Sequence, residues 1–364
     1  MNITIAALLI LLSFFFPKKL IWVRLLFFFM WSLWGWNTFN GDYEAYQIGF
    51  EQAMDSSNTL NEFGYKWLNF FLWRLGLSFR GYYVLVSGLL LFGMYYMIKK
   101  TCPLPGLYSA LYFFTFIQYY VYLRNYIICV VLILVLYKLI KDNIPQYVYI
   151  ATCVLLSTIH SISIMFLLFT PAIKNKCIGA RRILIMELGC FVLAYVGFNF
   201  LIGSILPYMS FSERALAYID NASVGMSIIF FVCFVLMSLY VLKKFMLVSN
   251  NKEVLKYIRV LYNINLLSLF ICSICVVAPY TIGRFLMFLI PINILSGVYF
   301  YYECSVNRRY KVLASAYLIV LACSVFLFLS MSNHPFTTIP LFMCNEIWGN
   351  NYYVPDLSLS NTQN

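Results

Sequence analysis

The chain alternates from end to end between long apolar runs and short polar or basic intervals. Apolar runs of this length are typical of transmembrane helices, because about 20 apolar residues are enough to cross the hydrocarbon core of a bilayer. We therefore predict an all-α polytopic membrane protein with about 11 to 12 transmembrane helices. The predicted spans lie at residues 3–16, 20–37, 81–98, 105–121, 123–138, 146–160, 161–173, 183–206, 224–242, 257–278, 281–303 and 312–331.

The segment from Asn37 to Arg80 is the longest interval before the C-terminal tail that the pattern does not assign wholly to spans. It is unusually acidic for a chain that is otherwise poor in acidic residues. It contains five of the thirteen carboxylates, namely Asp42, Glu44, Glu51, Asp55 and Glu62.

Two short helices are predicted inside this 37–80 loop. Tyr43, Tyr46, Phe50 and Met54 are three or four residues apart, which places them on one helix face, and Asn40 or Asp42 would cap that helix. Residues 62–75 are rich in Trp, Phe and Leu, which suits a helix that lies in the membrane interface. We therefore interpret the loop as a membrane-hugging cap over one mouth of the helix bundle.

The Lys and Arg residues are distributed unevenly. If all twelve spans cross, nineteen of the twenty-five fall on one side, which the positive-inside rule identifies as cytoplasmic. The 37–80 loop, the outer loop 207–223 and both termini then lie outside. We treat residues 1–333 as one transmembrane domain and residues 334–364 as an extracytoplasmic tail. Six cations lie on or near the outer face, against the rule, and need another explanation: Lys66, Arg74, Arg80, Arg124, Arg214 and Arg284.

Composition excludes several functional classes. With 63% apolar and 10% charged residues, the chain is not a soluble globular domain. The net charge of +12 does not indicate nucleic-acid binding, because the cations occur in twos and threes between apolar runs, as juxtamembrane charges do. The eleven cysteines are scattered through the predicted spans, so we expect neither a disulfide framework nor a metal site.

Two outer arginines are candidates for binding an anion. Arg124 lies where two spans meet, beside Asn125 and several tyrosines, and a guanidinium there could hold a phosphate bidentately. The alternative is that Arg124 extends to the interface or pairs with a loop carboxylate. Arg284 begins a span on the same predicted side, and its alternative is an interfacial anchor.

His160 is one of only two histidines and lies at the predicted outer end of a span, among hydroxyl side chains. A neutral imidazole is suited to accept a proton from a hydroxyl group near neutral pH. A structural, hydrogen-bonded histidine is the alternative interpretation. Asp42 and Glu62 lie next to aromatic residues, a combination that suits sugar binding. Helix capping by Asp42 and a surface ion pair of Glu62 are the corresponding alternatives.

Five short motifs follow one another between residues 37 and 290. They are Gly41-Asp42-Tyr43-x-x-Tyr46-x-x-x-Phe50, Glu62-x-Gly64-Tyr65-x-x-x-Asn69, Leu123-Arg124-Asn125, Ile159-His160-Ser161-x-Ser163 and Gly283-Arg284-Phe285. In this order and spacing they resemble the EpsG-like branch of the bacterial Wzy-type polysaccharide polymerases, which polymerise repeat units of O-antigen or capsule.

The resemblance implies a GT-C-like glycosyltransferase of the bacterial inner membrane whose active site faces the periplasm. Its substrate would be an oligosaccharide linked to undecaprenyl pyrophosphate, and the 37–80 loop would be a lid over it. A hydroxyl of one repeat unit would attack the reducing-end sugar of another chain. Arg124 and Arg284 would stabilise the leaving pyrophosphate and His160 would be the candidate base. The candidate substrate-binding residues are Asp42, Tyr43, Tyr46, Glu62, Tyr65, Asn125 and Arg214.

No metal or cofactor is required by this scheme. Membrane lipids and a chain-length regulator protein are the further partners that it suggests. Two rival functions are a transferase that adds a single sugar from a polyprenyl phosphate, and a flippase of lipid-linked oligosaccharide. A flippase predicts charges along a path through the membrane and two related halves, whereas here the unexplained charges gather at one predicted face.

Overall fold

The computed structural model describes residues 2–53, 62–173, 177–204, 224–275, 281–304, 307–324 and 338–350, most of which are helical. Their contacts divide the chain into two units. The first comprises Met1–Leu167 and Ile290–Pro355, and the second comprises Leu168–Leu289 and Asp356–Asn364. This grouping does not test the domain boundary expected at residue 333, which stays a prediction.

All eight helices described up to residue 157 belong to the first unit, and they follow the order of the predicted spans and of the 37–80 loop. They are α1 (Asn2–Phe15), α2 (Leu20–Gly35), α3 (Tyr43–Glu51), α4 (Phe63–Arg74), α5 (Phe79–Thr101), α6 (Pro105–Tyr119), α7 (Leu123–Asp142) and α8 (Gln146–Ser157).

A 3-10 helix leads into the second unit, and the chain later returns to the first unit through α13. The remaining elements are the 3-10 helix (Ser161–Ile173), α9 (Ala180–Ser204), α10 (Val224–Val248), α11 (Lys252–Ser268), α12 (Phe270–Cys275), α13 (Thr281–Glu303), α14 (Arg308–Ser324), α15 (Thr338–Met343), β1 (Cys344–Asn345) and β2 (Gly349–Asn350).

The helices are apolar on their exposed faces as well as their buried ones. On α2, Val23 and Leu26 are fully buried, while Ile21 and Phe28 are more than half exposed. A helix that is hydrophobic on all sides suits lipid, because its exposed apolar side chains contact acyl chains instead of water. Five helical segments of the described residues are long and apolar enough to cross a membrane. The all-α membrane architecture is therefore confirmed, while the total of 11 to 12 crossings stays a prediction.

The span predicted at 146–160 is shorter in the structure. Helix α8 ends at Ser157 because the hydroxyls of Ser157 and Thr158 donate to carbonyl oxygens of the preceding turn, at 2.6 and 2.7 Å. After a turn of three residues, the thirteen residues Ser161–Ile173 form the 3-10 helix. At a rise of about 2.0 Å per residue it extends about 26 Å, whereas an α-helix of that length extends about 20 Å. His160 lies at the turn between the two helices.

In the second unit, buried polar side chains join elements that are distant in sequence. The Asn263 side-chain oxygen accepts a hydrogen bond from the backbone N–H of Ile178 at 3.0 Å, and its amide donates to the carbonyl of Ala172 at 3.3 Å. The buried Glu187 carboxylate accepts a hydrogen bond from the Ser273 hydroxyl at 3.0 Å. The bonds of Asn263 tie α11 to the segment that precedes α9, and the bond of Glu187 ties α9 to α12.

The C-terminal hairpin (Cys344–Asn350), built from β1 and β2, packs on the end of α2. The buried Asn345 side chain donates to the carbonyl oxygens of Ser32 and Leu33, both at 3.0 Å. The last carbonyls of a helix have no partner within the helix, so these bonds cap α2. This part of the predicted 334–364 tail is therefore packed against the first unit.

Candidate active site

The candidate site lies where the beginning of α4 meets the end of α8. The backbone N–H groups of Gly64 and Tyr65 donate to the carbonyl oxygen of Thr158, at 2.7 and 3.3 Å. A Cβ atom on Gly64 would lie 2.1 Å from the Thr158 hydroxyl oxygen and 2.9 Å from its carbonyl carbon. Only glycine permits this approach. This contact holds Glu62, the residue before α4, close to Thr158, the residue that follows α8.

Glu62 joins two of the predicted site residues. One carboxylate oxygen, Oε2, accepts a hydrogen bond from Arg124 Nη1 at 2.5 Å. The other, Oε1, lies 2.7 Å from His160 Nδ1 and also accepts from the Ser161 backbone N–H at 3.3 Å. The three side chains thus come from three places in the chain: the N-cap of α4, the first turn of α7 and the turn after α8. We call Glu62, Arg124 and His160 the charged triad.

The electrostatics of the triad favour an ionised Glu62. Burial of the Glu62 carboxyl would raise its pKa, but the hydrogen bond from His160, a backbone N–H and the Arg124 charge together outweigh burial and lower the pKa to about 2. Glu62 is therefore a weak base near neutral pH, and its negative charge is available to orient its two partners. Both Glu62 and Arg124 keep about a quarter of their side-chain surface exposed.

Arg124 occupies an unfavourable position for helix stability. It lies in the first turn of α7, where the helix dipole repels a cation. Pairing with Glu62 offsets this cost. A guanidinium has five N–H donors, and the described bond to Glu62 uses one of them. The remaining donors give Arg124 the capacity to bind a further anion.

The pairing with Glu62 also fixes the chemistry of His160. With a proton on Nδ1 donated to the carboxylate, the other ring nitrogen, Nε2, carries the lone pair that can accept a proton. The His160 side chain is buried, with 11% of its surface exposed, so Glu62 holds it in one orientation. This arrangement is compatible with both catalysis and a structural role.

A layer of buried tyrosines supports the triad. The Arg124 guanidinium lies over the Tyr65 ring at 5.4 Å, and the Tyr65 hydroxyl is 2.9 Å from the Tyr82 hydroxyl. The Tyr46 ring packs edge-on against Tyr65 at 6.3 Å, and its hydroxyl donates to Asp42 at 3.3 Å. Burial raises the pKa of Tyr65 to about 12 and that of Tyr46 well above 10, so both remain neutral.

Asp42 occupies the N-cap position of α3, but its side chain forms no capping hydrogen bond there. It instead accepts a hydrogen bond from the Tyr46 hydroxyl, and its backbone N–H donates to the Asn40 side chain at 3.1 Å. The predicted helix face is present, with Tyr46 and Phe50 buried. Met54, the fourth member of that face, lies outside the described residues.

A second ion pair lies elsewhere in the first unit, and sequence reasoning did not predict it. Arg80 donates to Glu346 at 2.6 Å and to the carbonyl of Asn37 at 2.7 Å, and its guanidinium lies 5.9 Å from the centre of the Tyr43 ring. This set explains one outer cation, Arg80, by a structural role. It also places Tyr43 beside Arg80.

Three predicted site residues remain: Asn125, Arg284 and Arg214. Asn125 is buried at the start of α7. Arg284 belongs to the second unit, at the start of α13, so its expected role beside Arg124 on a shared anion stays a prediction. Arg214 lies outside the described residues. Within the parts of the chain that the structure describes, no group of three or more His, Cys, Asp or Glu side chains could hold a metal ion.

Four features of the site were not predicted: the bridging role of Glu62, the Thr158 carbonyl, the Ser161 N–H and Tyr82. Gly64 was a usable signal, because a glycine inside a predicted helix is unfavourable and is usually there for a packing or functional reason.

Comparison with protein families matches residues 20–343 to the EpsG family. No curated protein and no solved structure matches the chain.

Proposed function

Because the chain belongs to the EpsG family, we propose that it polymerises oligosaccharide repeat units linked to undecaprenyl pyrophosphate. Membership confirms the resemblance found in the sequence motifs and suggests a polysaccharide-polymerase-like function. The repeat units would belong to O-antigen, capsule or another exopolysaccharide, and the enzyme would act in the bacterial inner membrane.

The observation that carries the proposal is the charged triad. It combines a cation with unused donors, a histidine oriented by a carboxylate, and partial exposure at the end of a helix bundle. Transfer of a sugar from a pyrophosphate needs a group that stabilises the leaving anion and a group that accepts the acceptor's proton. Arg124 suits the first role and His160 the second, while Glu62 positions both.

The proposed reaction is a single glycosyl transfer. A hydroxyl oxygen of the acceptor unit attacks the anomeric carbon of the donor's reducing-end sugar, and the bond from that carbon to the pyrophosphate oxygen breaks. The hydroxyl proton passes to His160 Nε2. Undecaprenyl pyrophosphate leaves with the electron pair, and Arg124, together with Arg284, neutralises its charge. Asp42, Tyr46 and Tyr65 shape the sugar site beside the triad.

The distribution of charge along the helices supports an outward-facing site. Arg124 begins α7 and Lys141 lies in its last turn, about 25 Å further along the helix axis. Helix α5 likewise begins on the loop side, at Phe79, and carries Lys99 and Lys100 in its last turn. Since the positive-inside rule assigns the lysine-bearing ends to the cytoplasm, the triad end would face the periplasm.

The test uses a strain from which the gene has been deleted. Full-length variants are reintroduced, and the length of the surface polysaccharide is read from a gel. We expect Arg124→Ala and Arg284→Ala to abolish long chains while the protein still inserts in the membrane. The matched control is Arg74→Ala, which removes an exposed arginine from α4. Normal chain length in both Arg124→Ala and Arg284→Ala would refute the pyrophosphate role.

The deletion strain also separates the rival functions. Loss of a polymerase leaves single repeat units on the final acceptor, whereas loss of a flippase leaves none, and loss of a single-sugar transferase shortens every unit by one sugar. His160 is tested with purified enzyme and lipid-linked units. His160→Gln keeps a hydrogen-bonding side chain but not a base, and we expect the rate to fall by about 100-fold or more. An unchanged rate would remove His160 as the base.

A further inference from the structure

An open apolar groove runs along the first unit between α2 and α5. Its volume is about 410 Å³, and its walls include Phe28 of α2 and Leu89 and Phe92 of α5. Each of these three side chains is about 60% exposed. The groove lies on transmembrane helices, so the molecules that reach it are lipids.

One end of the groove is closed by Trp31. The Trp31 indole N–H donates to the carbonyl oxygen of Val84 at 2.9 Å. The ring crosses α5 at Gly88, where a Cβ atom would lie 2.9 Å from the indole nitrogen. The glycine therefore lets the indole lie against the α5 backbone and form a fixed end wall.

The other end of the groove is positively charged. Arg24 lines it and donates from Nε to the Tyr95 hydroxyl at 3.1 Å. Among the described residues, no carboxylate forms an ion pair with Arg24. Lys99 follows Tyr95 by four residues on α5, which places it on the same helix face one turn further on. Arg24 and Lys99 are both exposed.

The length of the groove selects among lipids. From Val84 to Tyr95, the first and last residues of α5 that line the groove, the helix axis rises about 16 Å, which is about half of the ~30 Å hydrocarbon core. The groove therefore spans one leaflet, from the fixed indole wall to the charged end. An acyl chain of a leaflet phospholipid fits this depth, whereas an undecaprenyl chain is much longer.

We propose that this groove is a binding site for an anionic glycerophospholipid. One acyl chain lies along Phe28, Leu89 and Phe92, and the headgroup phosphate binds Arg24, with Lys99 close by. Tyr95 holds the guanidinium at its Nε, which leaves the two terminal nitrogens for the phosphate oxygens. This site is separate from the charged triad and needs no assumption about the polymerase reaction.

The test measures lipid binding to the purified full-length protein by native mass spectrometry. Phosphatidylglycerol and phosphatidylcholine of the same chain length are titrated in parallel. We expect phosphatidylglycerol to bind more tightly, and Arg24→Gln to weaken its binding about tenfold. Arg74→Gln is the matched control, because it removes the same charge from an exposed arginine outside the groove. Lys99→Gln is a second variant that remains informative if Arg24→Gln fails to fold.

Two outcomes overturn the proposal. Equal binding of the two lipids, or an unchanged phosphatidylglycerol dissociation constant in both Arg24→Gln and Lys99→Gln, would show that the charged end does not select a headgroup. Glycerol 3-phosphate, which has the phosphate but no chain, separates headgroup recognition from groove binding. If it competes as well as the lipid does, the acyl chain contributes nothing and the groove is not the site.

Discussion

Replacing Glu62 by glutamine tests the charged triad directly, because it removes the carboxylate charge and keeps the size of the side chain. Interactions in the folded protein lower the pKa of Glu62 from its ordinary value of 4.5 to about 2. A fall of this size corresponds to about 3 kcal/mol in favour of the ionised form. Because the folded-state pKa is the lower one, this stabilisation is fully present above pH 4.5. It is lost as the pH falls from 4.5 towards 2.

The assay is thermal unfolding of the purified protein in detergent, followed by tryptophan fluorescence at several pH values between 7 and 3. At pH 7 we expect Glu62→Gln to lower the melting temperature by about 5 °C. The difference from the wild type should shrink as the pH falls below 4.5, because the unfolded wild-type chain then binds a proton at Glu62 that the folded protein, with its pKa of about 2, does not bind. Glu346→Gln is the matched control, since Glu346 pairs with Arg80 at a similar distance but is nearly half exposed.

Two results would refute this reasoning. If Glu62→Gln melts with the wild type at pH 7, the triad does not stabilise the fold. If the two proteins differ by the same amount at pH 7 and pH 3, the difference does not arise from ionisation of Glu62. A third result also counts against it. If Glu346→Gln lowers the melting temperature as much as Glu62→Gln does, an exposed ion pair has the same effect and the stabilisation is not specific to the triad.

Three further predictions concern the supports of the site. Gly64→Ala should lower the free energy of unfolding by about 1 to 3 kcal/mol and reduce polymer synthesis, because the new methyl group collides with Thr158. The control is Gly189→Ala, where nothing lies within 4 Å of the new methyl group and synthesis should be unchanged. Gel analysis of polymer length compares the two variants. Tyr65→Phe removes a buried hydroxyl bond, so it should lower the free energy of unfolding by about 1 kcal/mol, which thermal unfolding measures. It keeps the ring under Arg124 that shapes the proposed sugar site, so polymer synthesis should fall much less than in Arg124→Ala. Asn345→Ala removes two bonds to the end of α2 and should lower the melting temperature without changing the rate per folded enzyme; a lower rate per folded enzyme would contradict this.

Much of the architecture could be predicted from local pattern. The apolar runs are helices, and the spacing of Tyr46 and Phe50 indicated the buried face of α3. The aromatic residues of α4 divide as expected for an interfacial helix, with Tyr65 buried and Phe63 and Trp67 more than half exposed. These features depend on neighbours within two helical turns, which the sequence displays directly.

The triad could be predicted only as separate candidates. Arg124 and His160 were recognised as polar residues at the ends of spans, and pairing of Arg124 with a loop carboxylate was one stated alternative. Glu62 is separated from Arg124 by 62 positions and from His160 by 98, and no periodicity connects such distances. The contact is made by backbone packing at Gly64 and Thr158, which local spacing does not reveal.

For Asp42, the local sequence indicated the position correctly but not the partner of the side chain. Its sequence position identifies it as the residue before α3, and capping follows from local rules. The side chain instead accepts a hydrogen bond from the Tyr46 hydroxyl, because the tertiary packing that buries Tyr46 leaves that hydroxyl in need of an acceptor. Local preference gave way to the requirement of a buried polar group.

The C-terminal hairpin imposes an order on the synthesis of the protein. Helix α2 is among the first elements to leave the ribosome, yet Asn345, which caps its last turn, follows more than 300 residues later. Arg80 likewise waits for Glu346. In a nascent chain the last turn of α2 therefore stays uncapped until almost all of the helices have been synthesised. A chain that stops before the hairpin lacks both this cap and the ion pair of Arg80 with Glu346.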